Sequence, residues 1–315
     1  MKKILITCDT EVGELHSDRA DAFEIFIKGQ VGNKEVGVGL INSIASEFKV
    51  IVDHFVDIYP YEKYGEQKFK KLCEDIIKNG HKINLHTHPS GKFDKNRRFM
   101  YQYSLGEQIQ IIKFGKEKLK EWLGIEVISH RAGGYGANDN TIKALVENDI
   151  FIDSSFFYKN PNCKISYDFV NRTFEKNGVL EIPVSVYKKT GFKTAIQKFD
   201  FRYGSNVKEI LNAIDLMPQN SVIVIFLHSF NFLNLIYDFK NRKYKKISVN
   251  NRLIDEYRKL LSAISVKNDC KFTSIENLDK NNFYNDYIVD IWSRVNMAKK
   301  IKDKIALNFF NIGNV

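Results

Sequence analysis

A pair of histidines separated by one residue, His86 and His88, stands in the segment INLHTHPSG. Alternate residues of an extended chain point to the same side, so both imidazoles can face one point. The same holds for the carboxylates of Asp9 and Glu11, which follow the apolar run at the start of the chain. Two histidines and one carboxylate that leave a coordination position open form a catalytic divalent-metal site of the zinc hydrolase kind. Because such a histidine pair also arises by chance, two partly exposed loop histidines remain the alternative.

The elements that must position these residues are short β-branched runs that alternate with amphipathic segments, which is typical of parallel βα units. About seven strand–helix pairs follow one another. The sequence therefore predicts an α/β fold, a distorted or incomplete (β/α) barrel with about seven parallel strands and a C-terminal helical tail. The clearest helix is predicted from Ser104 to Leu123, because Ser104 and Glu107 form a capping box. Further helices are predicted over residues 39–48, 66–78, 139–148, 207–216 and 251–264.

Polar residues at strand ends are the candidates for chemistry, since the C-terminal ends of the strands build the site in a barrel. Arg131 ends one strand and precedes the turn AGGYG, where Gly133 and Gly134 allow close backbone approach. His228 closes the apolar strand VIVIFL. Taken alone, a histidine in that position is more often a buried structural group than a catalytic one. Four strand ends supply the full set: Asp9 and Glu11, His86 and His88, Arg131, and His228.

The charge balance favours anionic partners. Lys and Arg number 48 against 38 Asp and Glu, a net charge of +10, which suits nucleic acid, acidic lipid headgroups or phosphorylated sugars. No RNP-like motif, Cys/His finger or helix-turn-helix signature accompanies the charge, so nucleic-acid binding is not expected. The four cysteines lack CxxC spacing, which favours reduced thiols over a disulfide framework. No apolar run approaches the roughly 18 residues of a membrane span.

The start of the chain, MKKILITCDTE, predicts a first β-strand and not a secretory signal. Its apolar stretch is short, acidic residues arrive at Asp9 and Glu11, and no small-residue cleavage site follows. The protein is therefore expected in the cytoplasm.

The chain divides into a predicted barrel over residues 1–280 and a basic amphipathic extension over residues 281–315. From about Tyr287, apolar residues repeat at helical spacing among basic ones. One interpretation is a helix docked on the barrel or on a second subunit, and the other is a peripheral anchor at the anionic inner face of a membrane. The basic stretch over 233–250 is predicted to form a long loop or a β-hairpin over one mouth of the barrel. The apolar positions of the extension are Ile288, Ile291, Val295, Ala298, Ile301 and Ile305.

The order of these segments resembles the polysaccharide deacetylase family, the NodB-homology deacetylases that are carbohydrate esterase family 4-like. In that family an Asp-containing strand end comes first, followed by Gly-His before a metal-binding histidine pair, an Arg-rich turn and finally Leu-His. Six segments match in this order over roughly residues 4–278. They are TCDTE at 7–11, GHKINLHTHP at 80–89, HRAGGYG at 130–136, IDSS at 152–155, EIPVS at 181–185 and FLHSF at 226–230.

The resemblance implies catalytic roles for three matching residues. Asp9 is the general base that takes a proton from water, and Arg131 pairs with that carboxylate and keeps it ionised. His228 is the general acid. A structural salt bridge is the alternative for Arg131.

The resemblance also implies a divalent metal, with zinc as the expected ion, and the metal-binding residues depart from the usual family pattern at two points. Thr10 stands where many members have a second aspartate, so the ligand role passes to Glu11, with a solvated carboxylate as the alternative. The family histidines usually stand four residues apart, and position 90 is a serine here. The shortened HTHP form fits His86 and His88 as joint ligands and is similar to that of a cytosolic, surface-polysaccharide-associated branch.

Supporting residues are implied around this centre. An N–H of the turn over 132–135, which includes Gly133, Gly134 and Tyr135, is expected to bind the oxyanion. Asp153, at the end of the strand IFID, is expected to orient His228. His81 is expected to orient the turn at Gly80, and His130 is expected to lie in the core or to support the site. His54 is expected to face the barrel interior and has no assigned role.

The predicted reaction is metal-assisted hydrolysis of the N-acetyl group of a sugar, which gives acetate and an amino sugar. A cytoplasmic enzyme would act on a nucleotide-linked, lipid-linked or other intracellular N-acetylated sugar in surface polysaccharide synthesis. Two alternatives stay open: a non-sugar amide hydrolase on the same scaffold, and a sugar-binding protein whose catalytic site has decayed. The candidate aromatic platforms for a sugar are Tyr101, Tyr103, Tyr135 and Trp122, the last of which lies on an apolar helix stripe and is expected in the core.

Overall fold

The computed structural model describes residues 1–13, 18–190, 194–201, 206–238, 240, 243–278 and 286–292. The strands in these ranges are β1 (Lys2–Thr10), β2 (Gln30–Val31), β3 (Lys34–Glu35), β4 (Val52–Asp57), β5 (Lys82–Thr87), β6 (Ser129–Ala132), β7 (Ile152–Asp153), β8 (Phe174–Lys176), β9 (Val179–Glu181), β10 (Val186–Thr190), β11 (Ala195–Lys198), β12 (Val222–His228), β13 (Leu233–Asp238), β14 (Lys243–Val249), β15 (Cys270–Thr273) and β16 (Asp290–Trp292). The α-helices are α1 (Val38–Glu47), α2 (Tyr61–Tyr64), α3 (Glu66–Lys78), α4 (Leu105–Leu123), α5 (Asp139–Val146), α6 (Val207–Leu216) and α7 (Asn251–Ser265). A π-helical turn spans Phe23–Ile27, and 3-10 turns span Pro89–Gly91, Met100–Gln102, Gly133–Tyr135 and Ile275–Asn277.

The centre of the fold is a curled sheet of parallel strands in the order β12-β1-β4-β5-β6-β7-β9, with β8 antiparallel at one edge. Strand β15 runs parallel to the first half of β1. Seven parallel strands with helices between them confirm the predicted distorted (β/α) barrel. All seven strands end at the same rim, where a barrel carries its site.

The gap between the two edges of the sheet is bridged by irregular chain. The amide of Phe226 on β12 donates to the carbonyl of Phe199 at 2.9 Å, and the amide of Phe199 donates to the carbonyl of Ser185 at 3.0 Å. The Ser185 hydroxyl also accepts from the amide of Val224 at 2.8 Å. These bonds hold the β12 edge against the segment that follows β9.

Side-chain alternation along β1 decides what faces the barrel interior. Ile4, Ile6 and Cys8 pack in the large apolar cluster under the helices, whereas Leu5 packs with Phe55 inside the barrel. Asp9 and Glu11 continue the Leu5 side, so they reach the interior at the rim. Thr10 points to the other side of the sheet.

Local signals set the helix boundaries. The Ser104 hydroxyl accepts from the amide of Glu107, whose carboxylate accepts from the Ser104 amide at 2.8 Å, so the predicted capping box starts α4. Gly124 ends this helix in the left-handed region, with φ of +67°. The other five predicted helices lie within two residues of α1, α3, α5, α6 and α7. None of the described helices meets the length and apolarity that a membrane span requires.

Two of the sequence predictions outside the barrel have different outcomes. The basic stretch over 233–250 forms the β-hairpin of the two predicted alternatives, through β13 and β14, and its place over one mouth of the barrel stays a prediction. The helix predicted from about Tyr287 is wrong over its first residues, because 290–292 form β16, which pairs in parallel with β10. Val289 and Ile291 are both buried, a spacing of two that suits a strand. Residues 293–315 lie outside the described ranges, and the division at residue 280 stays a prediction.

Candidate metal centre

Three side chains from two strand ends converge at the rim of the barrel. Glu11 follows β1, and His86 and His88 lie at the end of β5. One ligand atom of each lies within 4.8 Å of the others. His86 Nε2 lies 3.2 Å and His88 Nε2 lies 2.5 Å from Glu11 Oε2. The geometry brings together the three residues predicted as ligands.

The chemistry of this donor set fits a divalent cation. His86 Nδ1 lies 2.8 Å from the carbonyl oxygen of Arg131, which can only accept, so Nδ1 carries the proton. In the neutral ring, Nε2 then presents a lone pair to the Glu11 carboxylate. A cation between the two, either a metal ion or the proton of an imidazolium Nε2–H, makes this contact favourable, and a fixed His tautomer is typical of metal ligands.

The electrostatics of Glu11 favour the same interpretation. Burial alone would raise the pKa of this carboxyl group, but the charge and hydrogen bonds of His88 and His86 outweigh it and hold the pKa well below its usual range. Glu11 is therefore a buried carboxylate, which is the form that a metal ligand requires.

Asp9 lies beside the metal cluster and is held by a buried arginine. Arg131 Nη1 donates to Asp9 Oδ1 at 2.7 Å and to the Thr7 hydroxyl at 3.2 Å. On its other side the guanidinium donates to the carbonyl and the hydroxyl oxygen of Ser154 at 3.1 and 3.0 Å. Asp9 Oδ2 lies 3.6 Å from His86 Nε2. The predicted Asp9–Arg131 pair is present, with one carboxylate oxygen turned toward the site.

His228, at the end of β12, forms the opposite wall. Its Nε2 lies 3.8 Å from Glu11 Oε1, and its ring lies between Phe226 and Phe230 at centroid distances of 4.8 and 4.9 Å. The side chain is 26% exposed, so it is reachable from the cleft. Burial lowers the pKa of His228, and the charges of Glu11 and Asp9 offset part of that effect.

The glycine turn after β6 has a steric role that the sequence does not reveal. A Cβ atom on Gly133 would lie 2.5 Å from His88 Cε1, so the ring of His88 occupies the space of a side chain at position 133. Gly134 and Tyr135 have φ of +55° and +62°. The turn therefore supports His88, and its predicted part in binding an oxyanion stays a prediction.

The expectation that Asp153 orients His228 is wrong. Asp153 Oδ1 lies 2.7 Å from Nδ1 of His130, which is directly opposite in the β6–β7 register. The His130 ring in turn lies 2.9 Å from the Thr87 hydroxyl through Nε2. Asp153 therefore supports the site from behind β5.

Two further histidines, His81 and His54, form buried hydrogen bonds within the fold. The expectation that His54 faces the barrel interior is wrong, because its ring lies on the side of the sheet that α1 covers. His81 Nδ1 accepts from the amide of Val52 at 3.1 Å. His54 lies between Thr10 and Asn42, at 2.8 and 2.7 Å. Both rings are buried, and burial lowers the pKa of His54 to about 3, so it is neutral.

Sequence reasoning missed three polar residues near the centre. Asp57, the last residue of β4, stands opposite His86 in the register, and burial raises its pKa to about 6. Its position at a strand end was a signal that could have found it. Lys198 donates to the Tyr135 hydroxyl at 2.8 Å and lies 3.7 Å from Asp200. Lys198 ends β11 and Asp200 follows it, and the pairing of Asp200 with Phe226 of β12 is not evident from the sequence.

The aromatic candidates separate into core and rim. Trp122 packs edge-on against Tyr61 at 5.6 Å and is in the core, as predicted. Tyr103 and Tyr135 are also buried. Tyr101 is half-buried and stacks on Phe99 at a centroid distance of 5.3 Å, and Phe99 lies against the glycine turn. Of the four candidates, Tyr101 is the one that is not buried.

Comparisons with known proteins agree with this architecture. No family model and no curated protein matches the sequence. The solved structures include a Mycobacterium smegmatis protein described as a polysaccharide deacetylase, with a TM-score of 0.56 and 17% identity over 87% of both chains. They also include PuuE allantoinase, with a TM-score of 0.55 and 12% identity over 88% of both chains.

The fold and the rim cluster define a distorted (β/α) barrel that carries a site of two histidines and one carboxylate. This fold is that of the polysaccharide deacetylases, as the sequence resemblance implied. The allantoinase shares it.

Proposed function

We propose that this protein is a metal-dependent amide hydrolase that removes an N-acetyl group from a sugar. The observation that carries the proposal is the convergence of Glu11, His86 and His88 beside a buried Asp9–Arg131 pair. The fold shared with the polysaccharide deacetylase from Mycobacterium smegmatis supports the sugar as substrate.

Each side chain has a part in this reaction. Glu11, His86 and His88 would hold the divalent ion, for which zinc is the expected identity, and the bound ion would supply Lewis-acid polarisation of the acetyl carbonyl and acidify water. Asp9 accepts the proton of the attacking water through Oδ2, because Arg131 Nη1 donates to Oδ1. His228 donates a proton to the departing nitrogen from the opposite wall.

Arg131 fixes the geometry of the base. Its guanidinium makes four hydrogen bonds and lies 4.0 Å from the Phe55 ring centre, so the Asp9 side chain cannot rotate away from the centre. The pair also keeps the total charge of the buried site low. A base held in one rotamer is the condition for efficient proton transfer.

The substrate class proposed is an N-acetylated sugar on a nucleotide or lipid carrier, used in surface polysaccharide synthesis. The stacked rings of Phe99 and Tyr101 at the rim suit the apolar face of a sugar. The net charge of +10 suits a phosphorylated carrier. A cytoplasmic location, peripheral at the membrane, belongs to the same proposal.

The test combines metal content with product release. The purified wild type, His86→Ala and His88→Ala are analysed for bound metal, and acetate release is assayed on free, nucleotide-linked and lipid-linked N-acetyl sugars. The expected result is one divalent ion per wild-type chain, loss of that ion in both variants, and acetate release by the wild type alone. A wild type that takes up no metal after reconstitution would overturn the proposal. Hydrolysis of a cyclic non-sugar amide to its ring-opened carboxylate, without acetate release, would favour an allantoinase-like activity.

A further inference from the structure

Two strands that carry site residues share one sequence arrangement. β1 leads into Asp9, Thr10 and Glu11, and β5 leads into His86, Thr87 and His88. In each case a threonine separates two residues of the site. Because side chains alternate along an extended chain, both threonines face the opposite side of the sheet from the centre.

On β1 this threonine is bonded to a buried imidazole. The Thr10 hydroxyl lies 2.8 Å from His54 Nδ1, and His54 Nε2 lies 2.7 Å from Asn42 Oδ1. His54 is on the neighbouring strand β4 and Asn42 is on α1. The amide oxygen of Asn42 accepts from Nε2–H, so Nδ1 of the neutral ring accepts the hydroxyl proton of Thr10.

On β5 the same arrangement recurs with a different third residue. The Thr87 hydroxyl lies 2.9 Å from His130 Nε2, and His130 Nδ1 lies 2.7 Å from Asp153 Oδ1. His130 is on the neighbouring strand β6, and Asp153 is on β7. Thr87, His130 and Asp153 are all fully buried.

The β5 arrangement is fixed further by the groups around Asp153. The Ser155 hydroxyl donates to Asp153 Oδ1 at 2.9 Å and accepts from the amide of Ala132 at 2.9 Å. Glu181 stands opposite Asp153 in the β7–β9 register. Its fully buried carboxyl has a pKa well above the usual range, because of burial and then the neighbouring Asp153 charge, so it is a proton donor beside that carboxylate.

We propose that Thr10–His54–Asn42 and Thr87–His130–Asp153 are two positioning braces that hold the metal-binding side chains from the far side of the sheet. A threonine anchored through its hydroxyl fixes the rotation of its strand, and this rotation sets the direction of the residues on either side. The braces thus aim Glu11 from β1, and His86 and His88 from β5, at one point. This inference rests on the proposed function, since it assumes that these side chains bind a metal.

The test removes each hydroxyl without changing the size of the side chain. Thr10→Val and Thr87→Val are compared with Thr10→Ser and Thr87→Ser, which keep the hydroxyl. The affinity for Zn²⁺ is measured by competition with a chromophoric chelator, and the Co²⁺-loaded proteins are compared by visible absorption. Because residues behind metal ligands typically change metal affinity about 10–100-fold, we expect a loss of that size in both valine variants and wild-type behaviour in both serine variants. The Co²⁺ spectrum of the valine variants is expected to change as well.

A matched variant separates positioning from general loss of stability. The Thr141 hydroxyl is fully buried between α4 and α5 and donates to Gln108 Oε1 at 2.6 Å, away from the centre. Thr141→Val is expected to lower the unfolding temperature in the presence of chelator and to leave the Zn²⁺ affinity unchanged. If Thr10→Val and Thr87→Val keep the wild-type Zn²⁺ affinity and Co²⁺ spectrum, the proposal that the braces position the metal-binding side chains is overturned. The proposed function is not affected by that result. A wild type that binds neither ion would overturn both.

Discussion

The ring of His88 occupies the space that a side chain at position 133 would need. Gly133 is thus required for its small size, in addition to any role of its backbone amide. A residue of this kind acts on the chemistry only through the ligand that it accommodates. The role of Gly133 follows from the distances between its backbone and the His88 ring, and the sequence does not show it.

Gly133→Ala is expected to weaken metal binding. The new Cβ would lie 2.5–2.6 Å from three atoms of the His88 ring, so the ring must leave the position that it holds beside Glu11. We expect a loss of roughly 10–100-fold in Zn²⁺ affinity, as for other changes behind a ligand. Gly106→Ala is the control, because a Cβ at position 106 meets nothing within 4 Å. Equal affinities of the two variants would show that His88 is not held by this contact.

Asp9→Asn is expected to remove activity and keep the metal. Asp9 is bonded to Arg131 and is not one of the three clustered ligands, so the metal content of the variant should equal that of the wild type. Acetate release should fall by about 10²–10⁴-fold, which is the usual contribution of a general base. The buried Arg131 loses its charged partner, so the free energy of unfolding should fall by about 3–5 kcal/mol. Loss of the metal in this variant would instead make Asp9 a ligand.

At the scale of the elements, strand order decides which site residues meet. β1 and β5 are separated by β4, and Glu11 reaches the two histidines across the curled sheet. β6 and β7 are neighbours, and their register sets His130 opposite Asp153. His228 ends β12, on the other side of β1. The partner of Asp153 therefore follows from register.

The sequence predicted the features that depend on local periodicity. The alternation of Asp9 with Glu11 and of His86 with His88 predicted their common direction, and the Ser104 capping box predicted the start of α4. Features that depend on strand order and register could not be predicted in the same way. Asp153 is an example, because its partner is His130 and not His228. The segment after Tyr287 was misread because its apolar residues fit a period of three or four as well as a period of two.

A pair of alanine variants tests the strand β16. Val289 is buried and Ile288 is only half-buried, because alternate residues of the segment that leads into β16 face the core. Val289→Ala should therefore lower the free energy of unfolding by on the order of 2 kcal/mol, and Ile288→Ala by less, although isoleucine is the larger residue. Urea unfolding of both variants measures the difference. A larger loss for Ile288→Ala would contradict the strand.

At the scale of the whole molecule, ionisable groups buried in the sheet tie its stability to pH. His54 and Asp53 are adjacent on β4, and burial shifts their pKa values in opposite senses, to about 3 for the imidazole and about 7 for the carboxyl. Each group is therefore neutral in the folded state over much of the range in which the unfolded chain would carry its charge. Their contributions to the pH dependence of folding have opposite signs.

The direction in which His54 makes the free energy of unfolding depend on pH follows from the number of protons that its ring binds in each state. The unfolded chain protonates this ring below a pKa of about 6.5, and the folded chain does so only below about 3. Between these values the unfolded state holds more protons, so the free energy of unfolding rises with pH. The contribution of His54 is complete above about pH 6.5 and is lost as the pH falls toward 3. Asp53 has the opposite effect. Between about pH 3.8 and 7 its carboxyl group holds more protons in the folded state, so its contribution makes the free energy of unfolding fall with pH.

The variant His54→Gln isolates the imidazole contribution, because it keeps Asp53. At pH 7 the variant should be less stable than the wild type, since the bonds to Thr10 and Asn42 are lost or weakened. Between pH 7 and pH 4.5 the wild type should lose more stability than the variant, by on the order of 2 kcal/mol, so the two should converge in acid. Urea unfolding at a series of pH values, with chelator present so that metal binding does not contribute, measures both curves. Parallel curves would mean that the folded protein accommodates a protonated His54.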